Sequence, residues 1–181
     1  MLACVGRGVT ATHLPPSDNN GNAFKQLGAK HTYKLWPKSG TALYACERSV
    51  GSAGHIVTAC KPLATDETTL SVVEVIQGGV VVDVKWREVL AGAPLTSPSV
   101  TTTGPALLVA WWWGDADSTG EKTAVPDSEF TLVDAILLEG SLVQCVVATR
   151  QVSMAGTFQL TWTATPLQGA QLWIAAVQSA A

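Results

Sequence analysis

The chain carries one pattern twice. Arg48-x-Val50-x-x-Ala53-Gly54 recurs as Arg150-x-Val152-x-x-Ala155-Gly156, and the same offset carries Leu70 onto Leu172 and Val75 onto Val177. Upstream, Gly8 and Phe24 fall onto Gly114 and Phe130 at an offset four residues larger, so the first copy holds four more residues between Phe24 and Arg48. A shared order of strands and turns in two halves is a fold signal. A unit of roughly 75 residues buries little surface alone. The pattern therefore predicts one domain over residues 1–181, with the halves packed face to face. Repeat 1 spans about 1–78, a bridge about 79–105, and repeat 2 about 106–181.

Short segments rich in β-branched and aromatic residues predict strands. In the first half these are Leu43 to Cys46, His55 to Ala59 and Thr69 to Ile76; their partners are Leu142 to Thr149, Thr157 to Ala164 and Gln171 to Val177. Phe158, Leu160 and Trp162 alternate with Gln159, Thr161 and Thr163, which puts one face in a core and one in solvent. Gly51 to Gly54 and Ser153 to Gly156 are expected to close equivalent hairpins. Val80 to Trp86 reads as an extra strand, Trp86 to Leu90 as one helical turn, and Pro94 to Pro105 as the bridge. With no long amphipathic helix, the expected fold is all-β: an antiparallel two-sheet sandwich, jelly-roll-like, built from two internal repeats.

Charged residues are 14% of the chain, against roughly 25% in ordinary soluble domains. Thr, Ser and Gln interleave with the apolar residues, so hydroxyls and amides should line the exposed faces. Two readings follow: neighbouring subunits cover part of the surface, or the surface is a neutral extracellular or virion coat with no obligate partner. The net charge of −3 and the lack of a basic run argue against nucleic acid. No apolar stretch approaches about 18 residues, so membrane insertion is not expected. Met1-Leu2-Ala3-Cys4 looks like a lipoprotein cleavage box, but no charged leader or apolar core precedes it.

The first strand starts at once. Its second-half counterpart, Ala106 to Trp113, is preceded by Ser97-Pro98-Ser99-Val100-Thr101-Thr102-Thr103. The expectation is a truncated start, or a partner that supplies the lead-in by strand addition beside Met1.

Trp111-Trp112-Trp113 offers a candidate interface or ligand platform. In a strand, Trp111 and Trp113 face one way and Trp112 the other. An exposed ring would stack on a sugar or pack on another subunit; the plainer alternative is two rings in the core and the third under the bridge. Asp115, Asp117 and Asp127, in an acidic stretch with Glu121 and Glu129, could chelate calcium, which takes six to eight oxygens. A solvated loop is the simpler account. Cys46 and Cys60 flank the Gly51-to-Gly54 turn at even spacing and could form a disulfide; the alternative is four buried free thiols, Cys4, Cys46, Cys60 and Cys145. His13, His31 and His55 are scattered, no C-x-x-C occurs, and no serine sits in G-x-S-x-G. No cofactor and no catalytic residue is expected. Arg48 and Arg150 should cap carbonyls or pair with a nearby carboxylate.

The run Gly104 to Asp115, then Phe130-Thr131-Leu132-Val133-Asp134, then Gly156 to Trp162 resembles β-sandwich modules of phage virion proteins and bacterial surface proteins. The shared pattern is an apolar strand ending in Gly-Asp, a W/F-T-x-V/L-D strand and a Gly-Thr-Tyr/Phe hairpin. The resemblance implies a jelly-roll-like fold and a structural or adhesive role, and it transfers no catalytic residue. The expected function is thus a non-enzymatic structural or assembly subunit of a virion, a decoration (cement) or tail-associated protein. Its partners would be other subunits, as a homo-oligomer or with capsid or tail proteins. The alternative is a carbohydrate-binding or lectin-like adhesion module at an extracellular or cell surface, using surface tryptophans to hold a glycan.

Overall fold

The computed structural model describes residues 1–8, 12–76, 78–115, 124–136, 143–165 and 169–179. These residues are all-β, and their sheets are antiparallel. The chain divides into two compact units, Met1–Gly79 and Val80–Ala181.

Unit 1 holds β1 (Leu2–Arg7), β2 (Ser17–Asp18), β3 (Lys25–Thr32), β4 (Gly40–Ala45), β5 (Val57–Thr58) and β6 (Thr68–Val73). Its main sheet has the order β3-β4-β1-β6, and β2 pairs with β5. Every residue of β1 and β4 is buried. That matches their near-continuous small and apolar sequences, because a strand covered on both faces loses the polar alternation. Gly40 is required by space: a Cβ there would lie 1.9 Å from the carbonyl oxygen of His31. Ala3, Val5, Phe24, Ala42, Tyr44 and Cys46 form one core, with Met1, Val57 and Leu70 packed against it.

Unit 2 holds β7 (Val80–Val89), β8 (Leu95–Thr96), β9 (Val100–Thr102), β10 (Ala106–Asp115), β11 (Val125–Pro126), β12 (Thr131–Ile136), β13 (Val143–Val152), β14 (Gly156–Phe158), β15 (Thr161–Ala164) and β16 (Ala170–Gln178). Its main sheet has the order β12-β13-β10-β16-β7; β11-β15-β8 form a second sheet and β14-β9 a third. Leu108, Ala110 and Trp112 of β10 and Leu172, Ile174 and Ala176 of β16 share a core with Leu95, Val100 and Trp162 from the smaller sheets and Leu160 from the link between β14 and β15.

Several sequence expectations change here. The turns after β4 and β13 do not close hairpins: β5 pairs with β2, and β14 with β9. The strand expected from His55 to Ala59 shrinks to Val57–Thr58, and that from Thr157 to Ala164 breaks into β14 and β15. The helical turn expected from Trp86 is strand, because Trp86 to Val89 pair with Trp173 back to Ala170 of the buried β16. The bridge contributes β8 and β9. The start of the chain is not an edge, since β1 lies between β4 and β6. Strand addition beside Met1 is therefore blocked.

The offsets read from the sequence also conflict in register. Leu70 lies opposite Val5, and Leu172 lies opposite Trp112. By the Leu70–Leu172 offset, Val5 in its sheet is therefore the equivalent of Trp112 in the other, one residue away from the Gly8–Gly114 match, and a one-residue slip exchanges the faces of a strand.

Candidate functional site

The three tryptophans are placed by β10, the middle strand between β13 and β16. Their parity is as expected, with Trp112 alone of the three in the core shared with the smaller sheets. All three are fully buried, so none presents a ring for a sugar to stack on. The central position explains this: β13 and β16 flank the rings on both sides, with Val146 and Leu172 opposite Trp112.

Asp127 is spent on backbone. Its carboxylate accepts the amides of Glu129 (3.2 Å) and Thr161 (2.9 Å), while its own amide donates to the Thr161 carbonyl (2.8 Å). Asp117, with Glu121, lies outside the described residues, and Asp115 is described only as the backbone end of β10. Among the described residues, no group of three or more His, Cys, Asp or Glu side chains is placed to hold a metal ion. All four cysteines are free. Cys46 and Cys60 are not joined because the strands beyond the Gly51-to-Gly54 turn belong to different sheets; Cys60 Sγ instead meets Ser17 Oγ at 3.6 Å. Arg150 pairs with Glu129, Nη2 to Oε1 3.0 Å, and its guanidinium lies 5.4 Å from the Phe158 ring centre. Among the described residues, no helix is long and apolar enough to cross a membrane.

Two polar clusters in unit 1 escaped the sequence reading. In the first, Arg7 at the end of β1 is fully buried. It donates to Thr68 Oγ1 (2.7 Å) and to the Cys60 carbonyl, and Asp66 Oδ2 lies 3.6 Å from Nη1. Burial lowers the Arg7 pKa, and Asp66 opposes that shift. His13 is buried nearby, and neither ring nitrogen has a hydrogen-bond partner among the described residues. Burial and then the Arg7 charge push its pKa down to about 4, so the ring is neutral at physiological pH. The only sequence signal was an arginine inside an otherwise apolar run. In the second cluster, Asp18 accepts from the Asn22 amide (2.8 Å), Asn22 Nδ2 (2.6 Å) and His55 Nε2 (2.8 Å). Burial would raise this carboxyl, but hydrogen bonds from Asn22 and His55 bring it down to about 2. His55 and Asp18 form a histidine–carboxylate pair, but through Nε2, the nitrogen that a catalytic triad turns toward its nucleophile. The Ser52 hydroxyl, however, donates to Asn20 Oδ1 at 2.8 Å. Both clusters lock loops.

The edges of the main sheets differ in a way that bears on docking. Exposed strand edges invite pairing unless charges, bulges or proline blunt them. Edge strand β3 has Lys25, Lys30 and a register break between Leu27 and His31, with Gly28 at φ +63°. Edge strand β12 has Asp134 and a break between Leu132 and Asp134. Edge strand β7 has Asp83, Lys85, Arg87 and Glu88, and a break opposite Ala176/Val177. Edge strand β6 reads Thr-Thr-Leu-Ser-Val-Val, uncharged and paired with β1 in unbroken register. Within it Val72 is 37% exposed, Glu67 and Glu74 flank it, and Ile76 beyond is 84% exposed; near β5, Ile56 is 61% exposed.

No protein-family model, no curated protein and no solved structure matches this chain.

Proposed function

We propose that this chain is a non-enzymatic assembly protein: a β-sandwich subunit made of two copies of one module, which docks on other protein subunits as a decoration or tail-associated component of a virion. The observation that carries the docking reading is β6, uncharged within its six residues and in unbroken register with β1, set against three strands that carry charges and register breaks. A six-residue uncharged β segment that exposes Val72, with exposed Ile76 three residues past its end, is a liability for a free protein, and a resource for one that works by pairing with a neighbour.

The two-copy reading is supported by matched topology. Strands β3-β4-β1-β6 and β12-β13-β10-β16 take the same places in the order of their sheets. It is also supported by matched clamps: Asn19 and Asp127 each use a side-chain oxygen and an amide to hold one residue, Ile56 or Thr161. The sandwich reading is supported by a core in unit 2 that draws on large and small sheets alike. The virion setting rests on the framework resemblance of Gly104 to Asp115 and Gly156 to Trp162. The carbohydrate-binding alternative loses its aromatic platform with the burial of Trp111, Trp112 and Trp113.

Light scattering across a concentration series tests the reading. We expect mass to rise above the 18.9 kDa monomer, through edge-to-edge contacts of β6, and Val72→Lys to return it to a monomer. A wild-type chain that stays monomeric up to millimolar concentration would remove self-association at β6 as support.

A further inference from the structure

We propose that the turn between β3 and β4 is an interfacial anchor for an anionic lipid bilayer: Leu35 and Trp36 enter the headgroup layer, and the lysines around them meet lipid phosphates. The proposal goes beyond the assembly reading and stands whether or not the chain self-associates.

The turn is built to present its tip. Strand β3 ends at Thr32 and β4 begins at Gly40. Tyr33 and Ser39 are fully buried, and three backbone bonds close the loop between them. The Tyr33 amide donates to the Ser39 carbonyl (2.7 Å), the Ser39 amide to the Trp36 carbonyl (2.8 Å) and the Trp36 amide to the Tyr33 carbonyl (3.1 Å). Between the two buried ends, Lys34-Leu35-Trp36-Pro37-Lys38 are all exposed, Leu35 at 51% and Trp36 at 56%. Pro37 holds its own φ and removes a donor from the tip. The apolar side chains are thus held outward by a closed loop on a buried base.

Trp36 differs from every other tryptophan of the chain. Trp111, Trp112, Trp113, Trp162 and Trp173 are fully buried, and Trp86 is half-buried. An indole is at home where one end is apolar and the other wet, the condition of a bilayer interface.

The charge around the tip fits an anionic surface. Between Phe24 and Cys46 stand Lys25, Lys30, Lys34 and Lys38 and no Asp or Glu, in a chain of net charge −3. Lys30, Lys34 and Lys38 lie at the turn end of the hairpin, because Thr32 pairs with Gly40; Lys25, opposite Ala45, lies at the other end. All fourteen acidic residues stand outside this segment, so a negative surface attracts the turn and repels the rest of the chain. Lysines that bracket an apolar pair lay their alkyl stems along the acyl boundary and send their ammonium groups to the phosphates. Such an anchor lies in the interface and crosses nothing.

Leu35 favours lipid over other polyanions. A sugar platform sets hydroxyls, amides or carboxylates beside its ring, and the five exposed residues carry none. Bases stack on the aromatic face and leave an adjacent leucine in water. Only a bilayer uses both side chains.

The test mixes the full chain with vesicles of phosphatidylcholine, with or without phosphatidylglycerol, and reads co-sedimentation and tryptophan quenching by acyl-brominated lipid. We expect binding and quenching with the anionic vesicles. Trp36→Ala should weaken binding about tenfold or more and abolish the quenching. Lys30→Gln and Lys38→Gln should each weaken it about fivefold. Should Trp36→Ala lose its fold, bromine quenching of the wild type still decides. No binding, or equal binding to vesicles without phosphatidylglycerol, would overturn the proposal. Binding without bromine quenching, matched by binding to dextran sulfate, would mark a polyanion site and overturn it too.

Discussion

Units 1 and 2 share a strand order and differ in how the order is finished. Among the described residues, the core of unit 2 gathers fifteen buried side chains, with Trp112, Trp162, Leu160 and Phe130 among them. One core cluster of unit 1 gathers six, of which only Phe24 and Tyr44 are large, with Leu2, Cys4, Tyr33, Leu43, Ala45 and Val73 buried outside it. Unit 1 makes up part of the difference with polar locks: Arg7 ties the end of β1 to Thr68 and Cys60, and Asp18 gathers Asn20, Asn22 and His55. One strand order can thus be held by apolar packing or by buried hydrogen bonds. The second route is more sensitive to pH and to single deletions, because each buried polar group needs its partner.

Trp112→Ala should break the comparison most. Removing a fully buried indole from a tightly filled core costs about 3–5 kcal/mol. Exchange should quicken throughout unit 2, with the β1–β4 amides of unit 1 little changed. Uniform quickening of both units would show that their stabilities are not separable.

Arg7→Met comes next, at about 3 kcal/mol, because it leaves the Asp66 carboxylate buried without its cation. Adding Asp66→Leu should recover most of that loss in urea titrations. A double variant as weak as the single one would mean that the contacts to Thr68 and Cys60 matter more than the charge pair.

The pH response should separate the units. All three histidines, His13, His31 and His55, lie in unit 1. Burial holds the folded pKa of His13 down to about 4, below its unfolded value of roughly 6.5. The unfolded chain therefore takes up the proton first. This contribution is complete above pH ~6.5 and is lost as pH falls toward 4, on the order of 2 kcal/mol. Unit 1 exchange should accelerate from pH 7.5 to 5, and His13→Leu should flatten the response; a response of equal size in unit 2 would assign it elsewhere. Asp18, held down to about 2, adds its own loss below pH ~4.

The smallest effects sharpen the likeness. Asn19→Ala and Asp127→Ala each remove the side-chain half of a two-way backbone clamp, worth about 1–2 kcal/mol. The two losses should agree within error in chemical denaturation. A clear inequality would argue that the clamps are not equivalent.

Much of this was legible in the residues. The run Ala106 to Trp113 announced a strand and the parity of its three rings, though not the burial of all three, and Thr/Ser-rich segments bounded by glycine announced an all-β chain. Pairing was less legible. Val57-Thr58 fits any antiparallel neighbour locally, and its choice of Ser17-Asp18 is made by Asn19 closing on Ile56 from far along the chain. Register was hidden for a related reason: the Gly8 and Gly114 match is a composition match, whereas Gly114 is small because a Cβ would strike the Trp112 ring at 2.6 Å. The burial of Arg7 and His13 could not be read, since it depends on Asp66 and Thr68 arriving from β6 and the loop before it.

The pairing of β7 with β16 has a consequence for synthesis. The first and last strands of unit 2 are neighbours in its sheet, so a ribosome delivers β7 long before the strand that receives it. Until β16 emerges, the nascent chain holds a ready strand with no seat. Closure must wait for Ala170 to Gln178, and non-local pairing of this kind is slow. A stop codon just before Ala170 would therefore not shorten unit 2 but prevent it, while the strands of unit 1 would already have been made.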